Sequence, residues 1–114
     1  MKESYIRMIQ YLLAVVIVII IGFHLQLFSS LIGPGYIHAL SWSAVAARMN
    51  NPFYDAIYVI LLFAVLTHGF IGIRNVVYEF ISSQTKRVIA SWVIFIVYII
   101  LLAYGLAPII ASAP

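Results

Sequence analysis

Three apolar runs of about 20 residues or more, parted by short polar breaks, constrain this chain more than any other feature. They extend from about Tyr11 to Ile32, from Phe53 to Ile73 and from Val88 to Ile110. At about 1.5 Å per residue, each can cross a hydrocarbon layer of about 30 Å. Runs rich in Val, Ile and Leu are ambiguous between helix and buried strand in water. In lipid every backbone group must be satisfied internally, which an open sheet cannot do. The reading is therefore an all-α membrane protein, a single domain with helices at about 11–32, 53–81 and 88–110.

Composition agrees. Of 114 residues, 66% are hydrophobic and 8% charged, against about half and about a quarter in a soluble domain. A chain this short cannot hide so much apolar surface in one aqueous core. The net charge of +3 is too small and scattered to indicate nucleic acid. Cysteine is absent, so the chain itself offers no disulfide, iron–sulfur cluster or thioether-linked haem. Any metal is held through His or carboxylate. The first run is too long for a secretory signal core of about 7–15 residues, and is read as a retained helix.

The breaks carry turn chemistry. Gly33-Pro34-Gly35 closes the first run, and Asn50-Asn51-Pro52 opens the second with proline at a first turn. Ser82 to Arg87 separates the second from the third, and Pro108 is expected to kink or end the last helix. Tyr36 to Met49 is too short and polar to span. A short interfacial helix suits it, with Trp42 at headgroup depth. Lys2, Arg7, Arg74, Lys86 and Arg87 fall on one side and Arg48 on the other. The positive-inside rule then puts the N-terminus in the cytoplasm and the C-terminus outside.

The second helix holds the polar residues that a lipid-facing span would avoid. With His68 at angle zero and about 100° per residue, Gly72 falls near 40°, Asn75 near −20° and Glu79 near 20°. Ala64 shares that line, so Ala64, His68, Gly72, Asn75 and Glu79 form a small-or-polar stripe. A flat macrocycle beside a helix fits such a stripe. The imidazole offers an axial nitrogen to iron, Gly72 clears room for a porphyrin edge, and Arg74 can pair with a propionate. The same pattern fits a packing face, with Gly69 and Gly72 allowing close approach and His68 bonded to a neighbouring helix.

His24 is the second candidate ligand. It lies about 20 Å into the first run, whereas His68 lies about 9 Å from Arg74 at the opposite side. Two axial ligands of one iron stand at a common height, so His24 and His68 do not share one. His24 serves either a second cofactor or an ordinary interhelical hydrogen bond. Tyr78, Glu79 and Ser82, with Arg74, cluster where the second helix leaves the membrane. They can supply hydrogen bonds and protons to a quinone, or can simply be a solvated helix end. His38 reads as an interfacial residue, and Asp55 suits the positive end of a helix dipole.

These residues resemble a known pattern. His68-Gly69-Phe70-Ile71-Gly72-Ile73-Arg74 followed by Glu79-Phe80 is similar to the His-x-x-x-Gly-x-x…Asp-Tyr signature of the small membrane anchors of succinate dehydrogenase and fumarate reductase. Val45 to Phe53, with Arg48 and Pro52-Phe53, resembles the approach to this helix in D-type anchors, and Gly22-Phe23-His24-Leu25 matches their first helix. The resemblance covers nearly the whole chain. It implies a non-catalytic subunit of a succinate:quinone oxidoreductase in the cytoplasmic membrane. Its partners would be a C-type membrane anchor, an iron–sulfur subunit, a flavoprotein subunit, quinone and the lipid bilayer, with no nucleic acid. It implies haem b ligated by His68, and a second haem if His24 also ligates. The family's acidic residue maps onto Glu79. Its quinone-binding tyrosine maps onto Phe80, which cannot donate a hydrogen bond. Tyr78, about 200° away round the helix, does not replace it. The competing readings are a small proton-coupled transporter using His68 and Glu79, and a purely structural membrane subunit.

Orientation is directly measurable in a cysteine-free chain. A membrane-impermeant maleimide is expected to label Ser83→Cys only from the cytoplasmic side and Ser112→Cys only from outside. The reverse pattern refutes the orientation.

Overall fold

The computed structural model describes residues 2–26 and 35–112. Among the described residues five helices follow one another: α1 Lys2–Leu25, α2 Tyr36–Ala39, α3 Trp42–Met49, α4 Pro52–Phe80 and α5 Gln84–Ser112. Three of them, α1, α4 and α5, are long and apolar enough to span a bilayer. This is an all-α, multi-pass membrane protein with short helical structure between the first and second spans.

The spans overrun the apolar runs that announce them. α1 begins at Lys2, well before Tyr11, because Glu3, Arg7 and Gln10 interrupt hydropathy without interrupting helix. α5 begins at Gln84, so the break that reads as Ser82 to Arg87 shrinks to Ile81, Ser82 and Ser83. Pro108 does not end α5, which continues to Ser112. A proline this near a helix end forfeits only one of the ladder's last bonds. The stretch from Tyr36 to Met49 holds two helices rather than one, broken at Leu40-Ser41. Ser41 enforces that break. Its hydroxyl donates to the His38 carbonyl at 2.8 Å and accepts from the Ala44 N–H as the N-cap of α3. Gly35 takes φ 88°, in the left-handed region where glycine carries no Cβ penalty. The rest of the expected Gly33-Pro34-Gly35 turn, and the end of the first run from Leu27 to Ile32, lie outside the described residues.

The start of α4 follows its sequence signals. Asn51 accepts from the Phe53 N–H at 2.9 Å, Pro52 occupies the first turn, and Asp55 lies near the positive dipole end. Its other end is capped by Arg87, whose guanidinium donates to the Tyr78 carbonyl at 2.7 Å and to the Ile81 carbonyl. Those acceptors are orphan carbonyls of a helix terminus.

α4 packs against both α1 and α5, while the backbones of α1 and α5 do not approach each other closely among the described residues. The three spans therefore form a layer, not a closed triangle. Little is enclosed: among the described residues Ala39, Ala64 and Ile109 are the buried apolar ones, and no large side chain is fully buried. At the end opposite the break at 81–83, Arg48 ties the short helices to α4. It donates to the Tyr58 hydroxyl at 3.0 Å and to the Ala39 carbonyl at 2.7 Å.

Membrane helices gain little from the hydrophobic effect when they meet, so close van der Waals packing decides their contacts. At Gly105 of α5 an added Cβ would stand 2.8 Å from both Leu62 methyls of α4. Gly105→Val is expected to destabilise the fold by about 1–3 kcal/mol through overpacking, read as a lower midpoint in SDS titration. Adding Leu62→Ala should restore much of the loss. An unchanged midpoint in the single variant would show that α4 and α5 do not meet there.

Candidate functional site

At 29 residues, α4 is roughly 43 Å long, against a hydrocarbon thickness of about 30 Å. Its last turns therefore leave the apolar layer, and there the polar residues collect. The expected stripe is real but graded. Ala64 is 3% exposed, His68, Gly72 and Asn75 are half-buried, and Glu79 is exposed.

The structure separates these residues into two groups. His68 belongs to the first, on the side of α4 that meets α1. Gln10 of α1 donates its amide to the His68 carbonyl at 3.0 Å. Its Nε2 also lies where a Cβ on Gly72 would point, 3.7 Å away. A side chain at Gly72 would therefore stand in ordinary contact with Gln10 of α1. The open position is Gly69, beside His68, where a Cβ would meet nothing within 4 Å. Around it Val65, Ile73, Val76 and Phe80 are exposed. They recur at three- and four-residue spacing, so they form one uncovered apolar face. His68 Nδ1 is a buried polar atom without a hydrogen-bond partner, and so is Gln10 Oε1.

The second group surrounds a polar chamber of about 500 Å³ at the basic end, lined by Glu3, Arg7, Arg74, Asn75, Tyr78, Glu79 and Arg87. Arg74 pairs with Glu3 at 3.5 Å and donates to Asn75 Oδ1 at 3.1 Å. Its guanidinium lies 4.5 Å from the Tyr78 ring centroid, and that of Arg87 lies 5.1 Å from the same ring. The Tyr78 hydroxyl bonds to Ser91 Oγ of α5. Tyr78 is thereby fixed by two cations and one hydroxyl, in the kind of cation–π contact that favours arginine. Ser82 is exposed and does not line the chamber. Phe80 is 83% exposed.

His24 stands far from both groups. Its ring meets Tyr58 edge-on, centroids 5.5 Å apart, and Tyr58 accepts from Arg48. Tyr58 and His68 are ten residues apart on one helix, about 15 Å along its axis. The two imidazoles do not reach a common iron. His38 is exposed. Among the described residues no three His, Cys, Asp or Glu side chains converge as a metal site.

Sequence reasoning misses the contribution of α1. Glu3, Arg7 and Gln10 recur at helical spacing, four and then three residues apart, a signal that one face of α1 extends polar contacts toward α4. It also misses Ser91 and the capping role of Arg87, which depend on how α5 returns along α4.

Comparison of the chain with protein-family models, with curated proteins and with solved structures finds no match.

If the Tyr78 hydroxyl is committed to Ser91, a double-mutant cycle of Tyr78→Phe and Ser91→Ala should give a coupling of about 0.6 kcal/mol, a typical interhelical value in membranes. SDS titration of the four variants measures it. Zero coupling would mean that the hydroxyl is available to another partner.

Proposed function

We propose that this chain is the D-type membrane anchor subunit of a succinate:quinone oxidoreductase, with His68 as an axial ligand of haem b. The observation that carries the reading is the half-buried His68 with an unpartnered buried ring nitrogen on a membrane-spanning helix. Intramembrane ionisable groups normally face a partner or a functional path. The donor chemistry fits a haem, since one imidazole is one axial ligand and Gly69 leaves open space beside it. Any further protein ligand to that iron would have to come from another chain, such as a C-type anchor, and His24 would have no part in it.

The open three-helix layer supports a role as a subunit. It leaves both broad faces available, one to lipid and one to a sister anchor. When bound, haem b supplies a one-electron store between the iron–sulfur subunit and quinone. This chain's share is to hold the iron through His68 and to offer a propionate the cation of Arg74, six residues further along α4. Glu79, exposed at the basic end, can pass protons between water and quinone. Tyr78 is a weaker candidate for binding quinone, since its hydroxyl already bonds to Ser91. In this reading the basic end faces the cytoplasm and receives the iron–sulfur and flavoprotein subunits.

Replacing His68 by Ala is expected to remove a b-type band from the redox difference spectrum of the purified complex. An unchanged haem-to-protein ratio contradicts the assignment. A colourless homo-oligomer from the wild-type chain would instead favour a transporter built on His68 and Glu79, and silence of His68→Gln would favour a purely structural subunit.

A further inference from the structure

The polar chamber does not end at its charged rim. Arg74 also lines an apolar cleft of about 250 Å³ between α4 and α5, with Phe70, Phe95 and Tyr98 among its walls. Tyr78 lines a second cleft of about 470 Å³, together with Val88, Trp92 and Phe95. Ser91 and Phe95 belong to both clefts. A charged compartment at the membrane surface thus adjoins an aromatic-walled furrow running into the hydrocarbon layer.

The charges are not balanced. Three arginines face two carboxylates, Glu3 and Glu79, across the chamber. Glu3, which pairs with Arg74, has a side chain 67% exposed, so water weakens that pair. Arg87 donates to neutral carbonyls, which satisfy its N–H groups without cancelling its charge. The chamber retains a net positive charge at the depth where headgroups lie.

We propose that this amphiphilic site holds one anionic phospholipid. Its phosphate lies in the chamber near Arg7 and Arg74, and an acyl chain follows the α4–α5 furrow past Phe95 and Trp92. Guanidinium groups suit phosphate because their planar N–H forks match its oxygens. A soluble phosphate would use only the chamber and leave the adjoining furrow without a role. A zwitterionic lipid would bring its own cation toward the arginines. The site is built from α1, α4 and α5 and does not use His68; it shares Arg74 with the propionate contact proposed above, so in the chain without haem Arg74 is free for the phosphate.

Trp92 reports on this furrow. It is 63% exposed and lines the larger cleft. The chain has only one other tryptophan, Trp42, beyond α4 at the opposite end. The full-length Trp42→Phe chain is reconstituted in vesicles, and Trp92 fluorescence is quenched with brominated phosphatidylglycerol or brominated phosphatidylcholine. Half-quenching is expected at about fivefold lower mole fraction of the anionic lipid, the factor that one interfacial arginine contributes. Arg7→Gln and Arg74→Gln should each reduce that preference, with helix content by circular dichroism unchanged. Equal quenching by the two lipids overturns the proposal without recourse to any arginine variant. So does a preference that survives both arginine substitutions, or one abolished by millimolar inorganic phosphate, which would mark a site for soluble anions.

Discussion

The packing of α4 between α1 and α5 is the contact on which everything else rests. Each neighbour packs against α4, and their backbones do not approach each other closely among the described residues. A closed bundle would enclose large side chains, whereas this layer fully buries none among the described residues. Lipid makes that arrangement tolerable. Apolar residues facing acyl chains lose nothing comparable to exposure in water, and the backbone is satisfied inside each helix. The consequence is a chain with two broad apolar surfaces, the feature on which the proposed place in a larger membrane assembly rests.

Polar side chains then mark where the layer departs from plain packing. Gln10 reaches across to the His68 carbonyl, and Thr67 of α4 shares a hydrogen bond with Tyr98 of α5 at 3.0 Å. Such bonds are individually modest between membrane helices, but they fix register and rotation. Fixing the rotation of α4 turns Gly69 and its apolar neighbours outward and holds Gly72 against α1. It also gathers Arg74, Tyr78 and Arg87 at the basic end. There cation–π contacts and carbonyl capping replace the apolar packing of the membrane interior.

Much of the fold was legible before any coordinates. The three spans, the start of α4 at Asn51-Pro52 and short helical structure near Trp42 all follow from run length and local turn chemistry. The limits of α1 and α5 did not. Hydropathy fades where Glu3 and Arg7, or Thr85 to Arg87, appear, yet these residues sit comfortably in a helix that has left the hydrocarbon. The stripe from Ala64 to Glu79 was legible as a helical periodicity. That Gln10 would stand beside Gly72 was not, because periodicity on one helix is silent about which residue of another lies opposite.

The sequence by itself determined the solvent, the secondary structure and the position of the polar groups along each helix. These depend only on the length of apolar runs and on the obligation to satisfy backbone groups in lipid. Tertiary structure decided which faces meet. It committed the Tyr78 hydroxyl to Ser91 and joined a charged chamber to an apolar furrow at Arg74 and Tyr78. Those outcomes arise from side-chain shape and helix rotation across nonlocal contacts, as where Leu62 meets Gly105, and no single helix encodes them alone.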